Sequence, residues 1–360
     1  MLILIAYTKQ PLFFERNKVY RVYTGGKLLE QFLGGNGEDD NYPEEWIAST
    51  VHAASNVDAG PKDGLSIIEN TEITLKELGE AYPYETFGPE GYLNVLVKYL
   101  DSSIRLPIQA HPDKEFSRKY FNSEYGKTEM WYILATRENA NICFGFNDKM
   151  TKEQFAQLES RSRTEKNIMD DYLNRVNVEP GEVYLIPAKA VHAIGAGCLI
   201  LEVQEPTDIT ISPEFWCGEH MLSDAEMYLG LSKEDALDCF DYSIYGADCI
   251  KISKKNPVLI EETAELRIEN LISKKDTPCF SVKRSYIKKK QILSEAPGIY
   301  VITKGEGVIC GETYKRKITK GDYFFLPYDA KNKFTVAVES NSEIEMITCI
   351  PPVSDKKLRT

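Results

Sequence analysis

Histidine is scarce. The 360-residue chain has four, at positions 52, 111, 192 and 220, and none follows residue 220. Chemistry that needs imidazole is therefore confined to the first two thirds of the sequence. The eight cysteines include no Cys-x-x-Cys pair and no compact spacing, which excludes a cysteine zinc cluster or a small disulfide scaffold and reads as reduced thiols. A basic excess is also missing. With 43 Lys and Arg against 55 Asp and Glu, the net charge is −12 and the acids are spread along the chain. That balance excludes nucleic-acid binding through a general basic surface, and an anionic ligand needs a locally positive pocket. Long apolar runs are lacking too. The opening MLILIAY is too short for a signal-peptide core or a membrane span and has no small-residue cleavage pattern, so a cytoplasmic protein without a membrane partner is expected.

What is present is a chain long enough for two or three cores, rich in aromatic and β-branched residues, with Gly and Pro punctuating short apolar runs. This predicts a mainly β fold with helical insertions. Helix starts are marked by Thr74 with Glu77, Thr151 with Gln154, Ser223 with Glu226, and Ser232 with Asp235. Phe155 and Leu158, then Tyr172, Leu173 and Val176, keep helical spacing, which predicts an insertion over about 148–176. KISKKNPV reads as a linker.

The sequence repeats itself. Gly181-EVYLI-Pro187-AKAV-His192 matches Gly321-DYFFL-Pro327-YDAK-Asn332, and YILATRENANICFG upstream of the first resembles YVITKGEGVICG upstream of the second. Two copies of one small barrel are expected. Aligning Tyr132 with Tyr300 sets Pro297 opposite Glu129, while Asn332 replaces His192, so the second copy lacks the donors of the first.

Those donors cluster around PIQAHPDKEFSRKYFNSEYGKTEMWYIL, residues 107–134. Gln109 and His111 share one face of an extended segment, and Glu129 on the next strand and His192 downstream add a carboxylate and a second imidazole. Two imidazoles, a carboxylate and an amide oxygen suit zinc or a similar divalent ion with positions left open. Lys127 lies two residues from Glu129. Lys98 is the one charge within the apolar LNVLVKYL, and Glu202 alternates with Leu201 and Val203. His52 and His220 read as ordinary surface or partly buried histidines.

The motifs IQAHPD, GKTEMWYIL and P-x4-H, in this order, resemble the type I phosphomannose isomerases, zinc-dependent members of the cupin superfamily. The resemblance covers roughly the first two thirds of the chain. It implies two cupin-type (jelly-roll) β-barrels: 1–212 metal-binding and catalytic, 213–259 a helical segment and linker, 260–353 a degenerate barrel, and 354–360 a polar tail. It further implies one Zn2+ per chain on Gln109, His111, Glu129 and His192. A sugar-phosphate substrate would be held by cations such as Lys98 and Arg118, with Lys127 and Glu202 transferring protons between mannose 6-phosphate and fructose 6-phosphate through a cis-enediol. Two departures stand out. Pro107 occupies a position that is often serine, and Thr207-Asp208-Ile209-Thr210-Ile211-Ser212 ends in serine where the family's S-D-x-T-x-R has arginine. Serine cannot imitate a bidentate guanidinium. Another cation compensates (Arg105, Arg118 or Lys98), the specificity differs, or the protein binds a sugar without turning it over. An iron- and oxygen-dependent cupin oxidoreductase is a further alternative, against which GKTE and the glutamine argue.

Overall fold

The chain is mainly β, built from several sheets of antiparallel strands. A computed structural model describes residues 4–53, 60–338 and 342–352, so the tail at 354–360 lies outside the described residues. A seven-stranded sheet runs in the order Lys18–Val19, Glu44–Ile47, Leu96–Ser102, Cys198–Gln204, Glu129–Thr136, Val183–Ile186 and Lys254–Lys255. A three-stranded sheet of Leu173–Asn177, Asn141–Phe146 and His192–Ile194 accompanies it. The C-terminal part repeats the plan. Val258–Glu262, Leu266–Ile272, Ser281–Ile287, Ile344–Ile350, Gly298–Lys304 and Tyr323–Leu326 form a six-stranded sheet, paired with a four-stranded sheet running from Lys290–Ile292 to Lys315–Thr319.

Strand alternation explains how these sheets stack. In the seven-stranded sheet, Trp131, Ile133, Tyr184, Ile186 and Ile200 point toward Ile142, Phe144 and Ile194 of the three-stranded sheet. The intervening residues Met130, Tyr132, Leu201 and Val203 point the other way, onto Ile299, Val301, Phe325, Ile347 and Cys349 of the six-stranded sheet. The opposite face of that six-stranded sheet, with Tyr300, Ile302, Phe324 and Met346, covers Ile309, Ile318 and Val336. The two large sheets therefore stand back to back, each with a smaller sheet outside it.

The pairing registers correct the sequence alignment of the two copies. Trp131 opposes Tyr184 and Glu202, whereas Tyr300 opposes Phe324 and Thr348. Trp131, not Tyr132, thus matches Tyr300, and Gly298 rather than Pro297 stands where Glu129 does. The reason is the two-residue period of a strand: a slip of one residue moves each side chain to the wrong face. On the outer sheets, Cys143 opposes Ala193 and Cys310 opposes Thr335. Phe334, rather than Asn332, is accordingly in step with His192. Gly181 and Gly321 occupy equivalent turns at φ 94° and 96°, a left-handed backbone that favours glycine in both copies.

The four helix starts form as the side chains dictate. Thr74, Thr151 and Ser223 make reciprocal capping boxes, and Ser232 accepts from the Asp235 amide. The helical insertion ends earlier than expected. Lys152–Ser162 is a helix and Ile168–Tyr172 a 3-10 turn, but Leu173–Asn177 is a strand paired with Asn141–Phe146. Leu173 and Val176 suit either period, and sheet pairing decides. KISKKNPV is no free linker: a short helix, Ile250–Ser253, runs into its start, and Lys254–Lys255 pairs with Val183 and Tyr184. Pro213 to Tyr242, expected to be helical, begins with a two-stranded ribbon of Trp216–Cys217 and His220–Met221. Leu12, placed with the first barrel by sequence, exchanges backbone hydrogen bonds of 2.8 and 2.9 Å with Phe325 of the six-stranded sheet.

Candidate active site

Backbone pairing assembles the site. Gln109 and His192 exchange backbone hydrogen bonds of 3.0 and 2.9 Å across an antiparallel bridge, so their side chains lie side by side. The segment carrying Gln109 is braced by Glu214, which accepts from the Ile108 amide at 2.7 Å and from Arg105 at 2.7 and 2.8 Å. Asp113 caps the helix Lys114–Phe121, fixing the exit from the His111 turn. The glycine of GKTE is dictated by close approach: a Cβ at Gly126 would meet the Pro112 carbonyl at 2.9 Å. Lys127 then lies beside that turn, its amide bonded to the Pro112 carbonyl at 2.9 Å.

His111, Glu129 and His192 converge, with one donor atom from each within 4.8 Å of the others. His111 Nε2 is 3.1 Å from Glu129 Oε2, and His192 Nε2 is 3.5 Å from Glu129 Oε1. Each imidazole is oriented from behind. His111 Nδ1 lies 3.1 Å from the Ile209 carbonyl and His192 Nδ1 lies 2.9 Å from the Ala190 carbonyl. A carbonyl only accepts, so Nδ1 donates in both and both Nε2 lone pairs face the centre. Trp131 Nε1 donates to Glu129 Oε1 at 3.0 Å and holds the carboxylate.

Burial and charge put these groups in the ligating protonation state. Burial and the Lys127 ammonium push His111 down to about 3, and burial also lowers His192. Burial would raise Glu129, but the Lys127 ammonium holds it well below the usual carboxylate range. Neutral imidazole plus carboxylate is the form that binds a metal. His192 Nε2 has no hydrogen-bond partner among the described residues, and the Lys127 ammonium lies 2.7 Å from His111 Nε2 and forms an ion pair with Glu129 Oε2 at 2.9 Å. A buried imidazole nitrogen without a partner, beside a carboxylate and an imidazole that already gather round a cation, fits a divalent ion.

A chain of charges leads away from this centre. Glu202 faces Lys98 directly across the strands, its carboxylate 3.3 Å from the ammonium, and Lys98 is 3.7 Å from Glu44. Burial and the Glu129 charge push Glu202 up to about 7, outweighing Lys98 and Lys127. The strand alternation expected for Glu202 is observed, with Leu201 and Val203 in the core behind it. Lys98 could equally have faced solvent on its strand; it is 3% exposed and points inward. Arg118 is not part of this group. Its exposed guanidinium pairs with Glu124 at 2.8 Å. Arg105 is committed to Glu214 and Asp170. His52 lies 3.2 Å from Lys76, and His220 pairs with Glu226 at 3.0 Å. Ser212 is buried, its amide bonded to the Met227 carbonyl at 2.9 Å.

Three residues of the site were not singled out in the sequence: Arg21, Glu44 and Gln204. Arg21 Nε and Nη2 grip Glu44 at 2.8 and 3.0 Å, and Nη2 reaches Asp208 at 3.2 Å. Gln204 opposes Glu129 in register, and its buried Oε1 has no partner among the described residues. A signal for Glu44 exists. Glu-x-Trp occurs at Glu44 and Trp46 and again at Glu129 and Trp131, and in both the indole donates to the carboxylate, at 2.7 and 3.0 Å.

The two stacked double layers of antiparallel strands and the buried His-Glu-His group define a cupin-type β protein with a candidate metal centre. No family model matches the chain. Mannose-6-phosphate isomerase ManA of Bacillus subtilis (strain 168) is 31% identical over 327 residues, covering 89% of this chain and 94% of that protein. The probable mannose-6-phosphate isomerase GmuF of the same organism is 34% identical over 203 residues, 56% of this chain and 59% of that one. The crystal structure of the mannose 6-phosphate isomerase from Bacillus subtilis superposes with a TM-score of 0.73 at 23% identity, covering 94% of this chain and 99% of that one. A mannose 6-phosphate isomerase bound with zinc and yttrium gives 0.69 at 13% identity, over 95% and 100% of the two chains. The chain belongs to the mannose-6-phosphate isomerase family.

Proposed function

We propose that this protein interconverts mannose 6-phosphate and fructose 6-phosphate, with a divalent ion, zinc by preference, held by Gln109, His111, Glu129 and His192. The observation that carries this reading is the convergence of two neutral imidazoles and Glu129 on one buried point beside Lys127 and Glu202. Bound there, the ion would supply a Lewis acid that polarises the sugar carbonyl. The chain's own residues do the rest. An aldose–ketose exchange moves a proton between C2 and C1, and Glu202, balanced near neutrality, has the protonation equilibrium suited to taking and returning it. Lys127 presents an ammonium to sugar oxygens at the metal edge. Lys98 holds Glu202 in place and adds a second positive charge for an anionic substrate. The buried setting, with these side chains 9% exposed or less, strengthens each of these interactions by excluding water.

A second reading is sugar-phosphate binding without turnover, and Ser212 favours it. A coupled assay of zinc-loaded protein on a panel of hexose 6-phosphates separates the two. Isomerisation of mannose 6-phosphate is the expected result. A calorimetric binding signal with no product for any sugar would leave the binding reading in its place.

A further inference from the structure

The Arg21 guanidinium is joined to both halves of the site. Its backbone is clamped by Asn41, with the Arg21 amide donating to the Asn41 carbonyl at 2.8 Å and Asn41 Nδ2 donating to the Arg21 carbonyl at 2.9 Å. The side chain is 7% exposed and lies 5.5 Å from the Trp46 ring centroid. One arm runs inward through Glu44. That carboxylate accepts from Arg21 at 2.8 and 3.0 Å, from Trp46 at 2.7 Å and from the Tyr23 hydroxyl, and it faces Lys98, the partner of Glu202. The other arm runs to Asp208, at 3.2 and 3.3 Å from Nη2. Asp208 immediately precedes Ile209, whose carbonyl fixes the His111 imidazole at 3.1 Å. Asp208 also belongs to the segment that ends in Ser212, so the guanidinium reaches this segment from the N-terminal part of the chain.

We infer that Arg21 is a positioning residue that sets, through Glu44, the Lys98–Glu202 pair and, through Asp208 and Ile209, the metal ligand His111. A planar fork with five donors grips Glu44 with two bonds while reaching Asp208, a fixed bidentate geometry that the point charge of an ammonium cannot reproduce. Outer partners of this kind typically change metal affinity or activity by about 10–100-fold when lost.

This inference rests on the proposed isomerase reading, and its test separates the two. Arg21→Lys, Glu44→Gln and Asp208→Asn are compared with wild type in three measurements: zinc affinity by competition with a chelator, kcat and KM on mannose 6-phosphate at saturating zinc, and Tm. The expected result for Arg21→Lys is a loss of about 10-fold or more in both zinc affinity and kcat. Asp208→Asn should lose more zinc affinity than kcat, and Glu44→Gln more kcat than zinc affinity. A general packing defect would lower Tm without that split. Arg21→Lys within about twofold of wild type in both readouts would overturn the inference, as would equal losses in the two arm variants. If wild type binds zinc but isomerises nothing, the isomerase reading fails, and the zinc affinities of Arg21→Lys and Asp208→Asn still decide the metal arm.

Discussion

At the residue scale, the site depends on what burial does to each charge. Glu129 is held ionised by Lys127 despite burial, whereas Glu202, on the neighbouring strand, is pushed up to about 7. Two carboxylates of the same sheet thus differ in charge state, as the proposed roles of ligand and proton carrier require. The raised value has a consequence for the metal-free protein. Between pH 4.5 and 7 the folded chain keeps a proton on Glu202 that the unfolded chain, at the ordinary 4.5, has released. Folding stability from this group is therefore complete below pH 4.5 and falls as pH rises toward 7. Glu202→Gln removes that term, so in urea unfolding of metal-free protein the variant should gain on wild type from pH 5 to 7.5, by on the order of 1–3 kcal/mol. A stability difference that does not change with pH would show that Glu202 is not perturbed. The convergence of His111, Glu129 and His192 was legible in sequence because strand alternation and motif order bring them together. Arg21 was not, because an arginine in VYRVY gives no sign of which distant carboxylates it will meet.

At the element scale, local signals were the most readable. Thr74, Thr151, Ser223 and Ser232, each followed three residues later by an acid or amide, became caps, since that geometry is completed within one turn. Thr74 starts the helix Leu75–Ala81, which buries Leu75 and Leu78 in the core between the two large sheets. Thr74→Ala should cost about 1 kcal/mol in chemical denaturation, with metal content unchanged, and no measurable cost would mean that the capping box adds nothing in this protein. Registers were less readable. The single-residue error in aligning Tyr132 with Tyr300 came from matching letters, while the folded chain matches faces: Tyr132 contacts the central core and Tyr300 the outer one. Leu173–Asn177 was hidden for a related reason, since its apolar residues fit a helix until Asn141–Phe146 supplies a pairing partner.

At the scale of the whole molecule, the duplication divides the labour. The first copy carries His111, Glu129, Glu202 and His192; the second has Gly298 and Thr348 at the pairing positions of Glu129 and Glu202, and its sheet backs the first through Ile299, Val301, Phe325 and Ile347. The C-terminal sheet also reaches forward: Glu345 accepts from the Tyr132 hydroxyl at 2.9 Å, and Tyr323 donates to Glu45 at 2.6 Å. It thereby supports the strands that carry Glu129 and Glu44. The central claim is that a single ion at the first copy drives isomerisation of a sugar phosphate. The most direct test strips the protein with chelator and follows mannose 6-phosphate isomerisation as zinc is added back, with His111→Ala in parallel. Activity should rise with zinc and saturate at about one ion per chain in wild type, and be absent at any zinc level in His111→Ala. Full activity in the stripped protein, or wild-type activity in His111→Ala, would contradict it.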